Sequence, residues 1–199
     1  FRGMFTQGMV THETYRAADG RWLSPEEVRF ETVEGDRRAF EIASNASADI
    51  GAVEKISKSK RNGTDPDDIL KVYGADAARW FILSDSPPER DVEWTEAGIE
   101  GASRFLQRVW KIVQEYKLLA EGEAKGESTA GVDDVLKIAH RAVQHVGDDI
   151  AGLRFNRAVA QIYELSNGLA KFQQTLETGA SAAQLAALRD GIIRLVQLI

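Results

Sequence analysis

Lys55-Ile56-Ser57-Lys58-Ser59-Lys60-Arg61-Asn62-Gly63 is the stretch of this chain whose residue types could do chemistry. Four cations and two hydroxyls fall within positions 55–61, with no acid among them. Lysine ammonium groups supply point charges, and serines add hydroxyl and backbone donors. Such a set suits a polyphosphate, whose non-bridging oxygens call for several donors from different directions. Asn62 and Gly63 at its end allow backbone conformations that other residues resist. On composition alone, a solvated basic loop remains the competing reading.

The rest of the chain offers less. There is no Cys, hence no thiolate nucleophile, disulfide or Cys-ligated metal. The three histidines are His12, His140 and His145. The last two are five residues apart and do not share a helix face, so no zinc pair is expected and no metal site is assigned. No nucleophile-elbow, Walker-type or dinucleotide glycine motif occurs. The carboxylates fall on polar helix faces and read as solvated charges.

The elements that must position the basic block can be read from turn and cap residues. Residues 1–10 read as a helix end or loop running into a short strand near Met9–Val10. Residues 11–54 read as a small β-ribbon module with little core of its own. Its strand candidates are Val28–Val33 and Ala39–Ala43, with hairpin turns at Asp19-Gly20 and Glu34-Gly35. Asn45-Ala46-Ser47 and Asn62-Gly63-Thr64 match glycosylation sequons, read as chance. After the basic block the signals are helical. Asp65 caps a helix with Pro66 at its first position and Asp67 and Asp68 in its first turn, ending at Gly74. A second short helix covers Asp76 to Leu83, and Asp85-Ser86-Pro87-Pro88 breaks it.

Thr95 then opens a long helix in which Ile99, Ala102, Leu106, Val109, Val113 and Tyr116 form one apolar stripe, widened by Phe105, Trp110 and Ile112. After a polar linker at 121–131, Val132, Val135, Ala139, Val143, Val146 and Ile150 keep helical register. Asn156 is a candidate cap for the next helix, and Ser181 with Gln184 makes a capping-box pattern before the last. Four amphipathic helices with short loops predict an antiparallel bundle. The fold class expected is mainly α, a helical bundle preceded by a small β-containing insert.

Composition narrows the class further. With 43% apolar and 28% charged residues the chain is globular rather than disordered, and its apolar runs are too short to span a membrane. Residues 1–54 carry 6 basic and 10 acidic side chains, 55–61 carry four basic and none acidic, and 62–199 carry 15 and 21. An acidic average argues against general nucleic-acid coating, but not against local phosphate binding at the one dense basic block. The chain starts on Phe1 and ends on an apolar helical run, so it is expected to be a fragment of something larger.

The order of residues adds a resemblance. Lys55-Ile56-Ser57-Lys58-Ser59 resembles the KMSKS signature of class I aminoacyl-tRNA synthetases, and Lys60-Arg61-Asn62-Gly63-Thr64-Asp65-Pro66 resembles its usual continuation. Tyr73-Gly74-Ala75-Asp76-Ala77-Ala78-Arg79 is similar to a segment of the leucine, isoleucine and valine enzymes. Asp91 to Ala102, Arg104 to Trp110, Thr6 to Val10 and Arg154 to Val159 are similar to the bacterial leucyl-tRNA synthetase family. The 44 residues between Val10 and Lys55 resemble that family's leucine-specific insert. Ile56 departs from the usual Met, an apolar exchange, and Arg61 stands where Gly is frequent.

The resemblance implies a truncated Rossmann-type catalytic domain ending in the KMSKS loop. Residues 1–10 would end the catalytic sheet, 11–54 would be the insert, 55–85 the loop with its following short helices, and 86–199 an anticodon-binding-type bundle. It implies leucine activation by ATP with Mg2+, transfer to tRNA(Leu), a cytoplasmic monomer, and no membrane partner. The site residues carried over are Lys55, Ser57, Lys58 and Ser59 for ATP, with Lys58 as the catalytic one. The HIGH motif and leucine pocket would lie upstream, so this segment alone is expected not to activate leucine. The alternatives are an isoleucyl- or valyl-tRNA synthetase fragment, or a non-catalytic helical binding module.

Overall fold

The computed structural model describes residues 4, 6–176 and 179–199; of the segment 1–10, residues 1–3 and 5 lie outside the described residues. The chain divides into two compact units: Phe1–Ile82 with Pro88–Glu100, and Leu83–Pro87 with Gly101–Ile199.

The first unit is built on strand β1, Val10–Arg16. It does not stop near Val10 but continues six residues, to Arg16, into the stretch expected to be the insert. Its neighbours are β2 (Trp22–Leu23), β5 (Ser47–Lys55) and, in parallel, β6 (Val92–Glu93). The β5 pairing runs from Thr11↔Lys55 to Arg16↔Asp49, slipping between Glu13 and Tyr15. Gly51 lies at that slip, and a Cβ there would meet the Thr14 hydroxyl at 2.5 Å. The buried Thr14 hydroxyl donates to the Ala52 carbonyl at 3.0 Å. β3 (Val28–Val33) and β4 (Asp36–Glu41) form the expected hairpin, closing Val33 on Asp36. Glu34 and Gly35 both take positive φ, 56° and 92°, the left-handed pair that a two-residue turn needs.

Residues 11–54 carry a small core of their own. Tyr15, Ala17, Leu23, Val28, Ala39 and Ala48 bury together, with Ile50 packed against them. Tyr15 is 2% exposed and Leu23 0%. This is the small core expected: three alanines let the ribbon close over one tyrosine, one leucine and one valine. Helices α1 (Pro66–Tyr73) and α2 (Ala75–Asp85) follow. Asp65 caps α1 as expected, its carboxylate accepting from the Asp67 amide at 2.9 Å. Phe81 of α2 meets Trp94 edge-on at 5.1 Å.

The second unit holds most of α3 (Glu96–Glu121), with α4 (Val132–Ala151), α5 (Phe155–Gln174) and α6 (Ala182–Leu198). Leu165, Leu169, Leu188 and Leu195 are fully buried at its centre. The capping box of α6 is present as read: the Ser181 hydroxyl accepts from the Gln184 amide at 3.2 Å, and the Gln184 carboxamide accepts from the Ser181 amide at 3.1 Å. The polar linker is tied to that cap, since the Gln184 side chain donates to the Ala130 carbonyl at 3.0 Å and the Lys125 amide to the Ala180 carbonyl at 2.7 Å.

Three expectations fail here. Trp110 does not widen the α3 stripe; it is 67% exposed. On α4 the buried positions are Val135, Ala139, Ala142, Val146 and Asp149, while Val143 and Ile150 face solvent. The stripe turns because Asp149 is drawn inward, accepting from Arg154 Nε at 2.7 Å with Arg157 Nε at 3.7 Å. Those two arginines also displace the expected Asn156 cap: α5 starts at Phe155, and its N-cap Arg154 makes no side-chain cap.

Because the insert's core is small and centred on one leucine, Leu23→Ala should destabilise it by about 2–5 kcal/mol, the range for a buried leucine. Amide exchange should then quicken across 11–55 while α4–α6 keep their protection. Equal loss in both regions would show that the ribbon has no separate core.

Candidate nucleotide-binding loop

The basic block is a loop slung between the end of β5 and the cap of α1. β5 leaves the sheet at Lys55, and the Ile56 amide still donates to the Val10 carbonyl at 3.2 Å. The chain then doubles back over five residues. The Ser57 hydroxyl accepts from the Lys60 amide at 3.3 Å and sits 3.0 Å from the Ser59 hydroxyl, and the Arg61 amide donates to the Lys58 carbonyl at 3.4 Å. Arg61, rather than Asn62 or Gly63, takes the left-handed backbone, with φ 53°.

Asn62 acts through its side chain. It is 0% exposed. Its Oδ1 accepts from the Ser57 amide at 2.9 Å, and its Nδ2 faces the carbonyls of His12, Glu54 and Lys55 at 3.2, 3.3 and 3.4 Å. One donor on one side and three carbonyls on the other fix the amide's orientation. Gly63 is needed for contact: a Cβ there would meet the Ile56 Cγ2 methyl at 2.7 Å. Sequence reading missed the Asn62 role. The available signal was a turn-forming asparagine that closes a hydroxyl-rich loop without itself adopting a turn.

The four cations sort into two kinds. Lys60 ion-pairs with Glu54 and lies 5.9 Å from the Trp22 ring centroid. Arg61 reaches the Glu27 carboxylate at 3.0 Å and donates to the Trp22 carbonyl at 3.3 Å. Lys55 and Lys58 are exposed and, among the described residues, have no ion-pair partner. Of the four residues expected to meet ATP, Lys55 ends β5 and Ser57, Lys58 and Ser59 follow on one short loop, with the two hydroxyls adjacent and, among the described residues, both ammonium groups without an ion-pair partner.

Glu27 anchors the tether on the insert side. Its carboxyl is held below the usual glutamate range, first by the Ser24 amide, which donates to it at 2.8 Å, and then by Arg61. The His12 Nδ1–H donates to the Glu13 carbonyl at 2.8 Å; His140 and His145 are exposed. Among the described residues no group of three or more His, Asp or Glu side chains is placed to hold a metal. The second unit has a groove of about 460 Å3 between α4 and α5, where Lys137, Arg141 and Lys171 stand over Val135, Ile138 and Phe172. Among the described residues none of these three cations is ion-paired.

Residues 48–95, which include the whole loop, match the family model for class I tRNA synthetases (I, L, M and V). The chain is 53% identical over 198 residues to the leucine–tRNA ligase of Brucella ovis, covering 98% of this chain and 22% of that protein. It is 52% identical to the leucine–tRNA ligase of Brucella abortus strain S19, with the same coverage. From end to end the chain resembles the leucine–tRNA ligases. It spans about a fifth of the length of these curated relatives. The fold matches a leucyl-tRNA synthetase of Agrobacterium radiobacter K84, solved in a ternary complex with tRNA and LeuAMS, with TM-score 0.59 and 24% identity over 73% of this chain and 19% of that one. It also matches the methionyl-tRNA synthetase of Mycobacterium tuberculosis in complex with methionyl-adenylate, with TM-score 0.54 and 18% identity over 72% of this chain and 31% of that one. No helix among the described residues is long and apolar enough to cross a membrane.

A depressed carboxyl contributes stability that is present above the ordinary glutamate range, near pH 4.3, and is lost as the pH falls through its own lower value. NMR titration of the Glu27 carboxyl should therefore give a midpoint below that of a free glutamate. Arg61→Ala should raise the midpoint only part of the way, because the Ser24 amide remains. A full return to the ordinary value would make Arg61 the dominant cause.

Proposed function

We propose that this chain is the part of a leucine–tRNA ligase that carries its KMSKS-type loop and its tRNA-facing helical bundle. On this reading residues 1–10 end the catalytic sheet, 11–54 form the leucine-specific insert and 55–85 carry the loop and its short helices; of the stretch 86–199 read as the bundle, Val92–Glu93 pair with β1 instead, and the helices run from Glu96. In the reaction of the whole enzyme, a leucine carboxylate oxygen attacks the α-phosphorus of ATP. The bond to pyrophosphate breaks, and negative charge accumulates on the leaving group. A cation that meets the phosphates as that charge grows lowers the barrier selectively.

The observation that carries this reading is the division of labour among the cations. Lys60 and Arg61 are engaged by Glu54 and Glu27, whereas Lys58, at the loop's turn, has no ion-pair partner among the described residues. Lys58 is therefore assigned the transition-state contact. Lys55, Ser57 and Ser59 supply further charge and hydrogen bonds to the phosphates. The donor set fits a polyphosphate. Mg2+ would arrive on the nucleotide, since the loop offers it no carboxylate. Similarity to leucine enzymes along 98% of the chain favours leucine over isoleucine or valine, and favours a ligase segment over an independent helical adaptor. The whole enzyme is read as a cytoplasmic monomer acting on tRNA(Leu). The α4–α5 groove, with three uncommitted cations in an acidic chain, is the face assigned to RNA phosphates.

In a full-length leucine–tRNA ligase carrying this segment, Lys58→Ala should slow pre-steady-state leucyl-adenylate formation by roughly 10²–10³-fold, the scale for one preorganised donor. The ATP Michaelis constant should change much less. Lys60→Ala should do less because its ammonium is held by Glu54. A rise in the ATP Michaelis constant alone would make Lys58 a ground-state anchor. Replacing Lys137, Arg141 and Lys171 together by Gln should weaken tRNA binding and flatten its salt dependence by roughly 2–3 in log–log slope, as three lost phosphate contacts require. An unchanged slope would move the RNA face elsewhere.

A further inference from the structure

We propose that Asn62 is a positioning residue for Lys58: its buried amide locks both ends of the loop to the sheet, so that only the stretch between them can move. This rests on the reading of Lys58 given above. The loop leaves the sheet after Lys55 and returns at Asn62, and the Asn62 carboxamide touches both points. Through Oδ1 it holds the Ser57 amide, the first loop residue, at 2.9 Å. Through Nδ2 it faces the carbonyls of Glu54 and Lys55 on the departing strand and of His12 on the neighbouring one, at 3.2–3.4 Å. No other side chain described at the loop base joins β1, β5 and the loop at once.

The burial explains why this matters. A fully buried amide deprived of its partners is costly, so Asn62 cannot swing out with the loop. Gly63 strengthens the constraint, because it packs so closely on Ile56 that a Cβ would sit 2.7 Å from its methyl. Residues 55–56 and 62–63 thus form a fixed base, and Lys58 rides on a span of five residues between them. In contrast, the contacts of the loop's far side are half-exposed ion pairs, Lys60 with Glu54 and Arg61 with Glu27. Pairs of this kind are weak and exchangeable. The loop therefore combines a rigid hinge with a releasable tip, which confines the arc that the Lys58 ammonium can sweep.

The test uses the full-length ligase carrying this segment. Asn62→Ala should slow adenylate formation by about 10²-fold, the effect of an ångström-scale misplacement. In a Lys58→Ala background the same change should cost almost nothing, because the group it positions is gone. Amide exchange at Ser57 should quicken at least tenfold, while the β1 and β5 amides keep their protection. Asn62→Asp keeps the side-chain volume, and its activity should recover as the pH is lowered, because a protonated carboxyl again donates toward the carbonyls; this variant carries the test if Asn62→Ala lowers the melting temperature of the whole protein. Equal losses in the two backgrounds would overturn the proposal, as would unchanged exchange at Ser57. If Lys58→Ala itself leaves adenylate formation intact, the assignment of Lys58 fails, and Ser57 exchange still decides whether Asn62 holds the loop.

Discussion

Everything in the first unit hangs on the hydrogen bonds of β1. The strand pairs with β5 on one side and with β2 and β6 on the other. Pairing Thr11 with Lys55 brings the two ends of the intervening stretch together, so that stretch can fold as a closed ribbon on its own small core. The same register puts the His12 carbonyl where the Asn62 amide can reach it. A one-residue slip would turn that carbonyl away and exchange Tyr15 for its exposed neighbour Arg16 on the buried face.

The loop that results is polar yet well determined, and burial makes the difference. Ser57, Ser59, Lys60 and Arg61 organise one another by short-range contacts, all near the surface. Asn62 adds the single buried element, and buried hydrogen bonds define geometry more firmly than exposed ones. The electrostatics follow the same division. Cations with carboxylate neighbours are spoken for, and the two without such neighbours among the described residues, Lys55 and Lys58, remain available to an outside anion.

Legibility in the sequence tracked the range of the interactions. The α1 cap, the α6 capping box and the Glu34-Gly35 turn depend on residues two or three apart, and each was readable. The β5 strand was not, because Gly51 and several alanines leave it without the β-branched alternation that marks strands. The α4 stripe was misread by one face, since the pull on Asp149 comes from arginines beyond the helix. The basic block was visible at once as chemistry. Its anchor was invisible, because Asn62 finds a partner 50 positions away in His12, and no local pattern announces that. Trp110 shows the converse: an apolar residue in helical register need not be covered.

The reach of β1 also imposes an order of assembly. Its ladder joins residue 10 to residue 92, whereas α4, α5 and α6 pack on one another within residues 132–198. Closing long loops before they are rewarded slows the formation of distant strand pairs, while neighbouring helices meet quickly. The helical unit should therefore reach its native contacts first. The basic loop comes late, because its base exists only after β1, β5 and Asn62 have met. Pulse-labelled exchange during refolding would read that sequence directly.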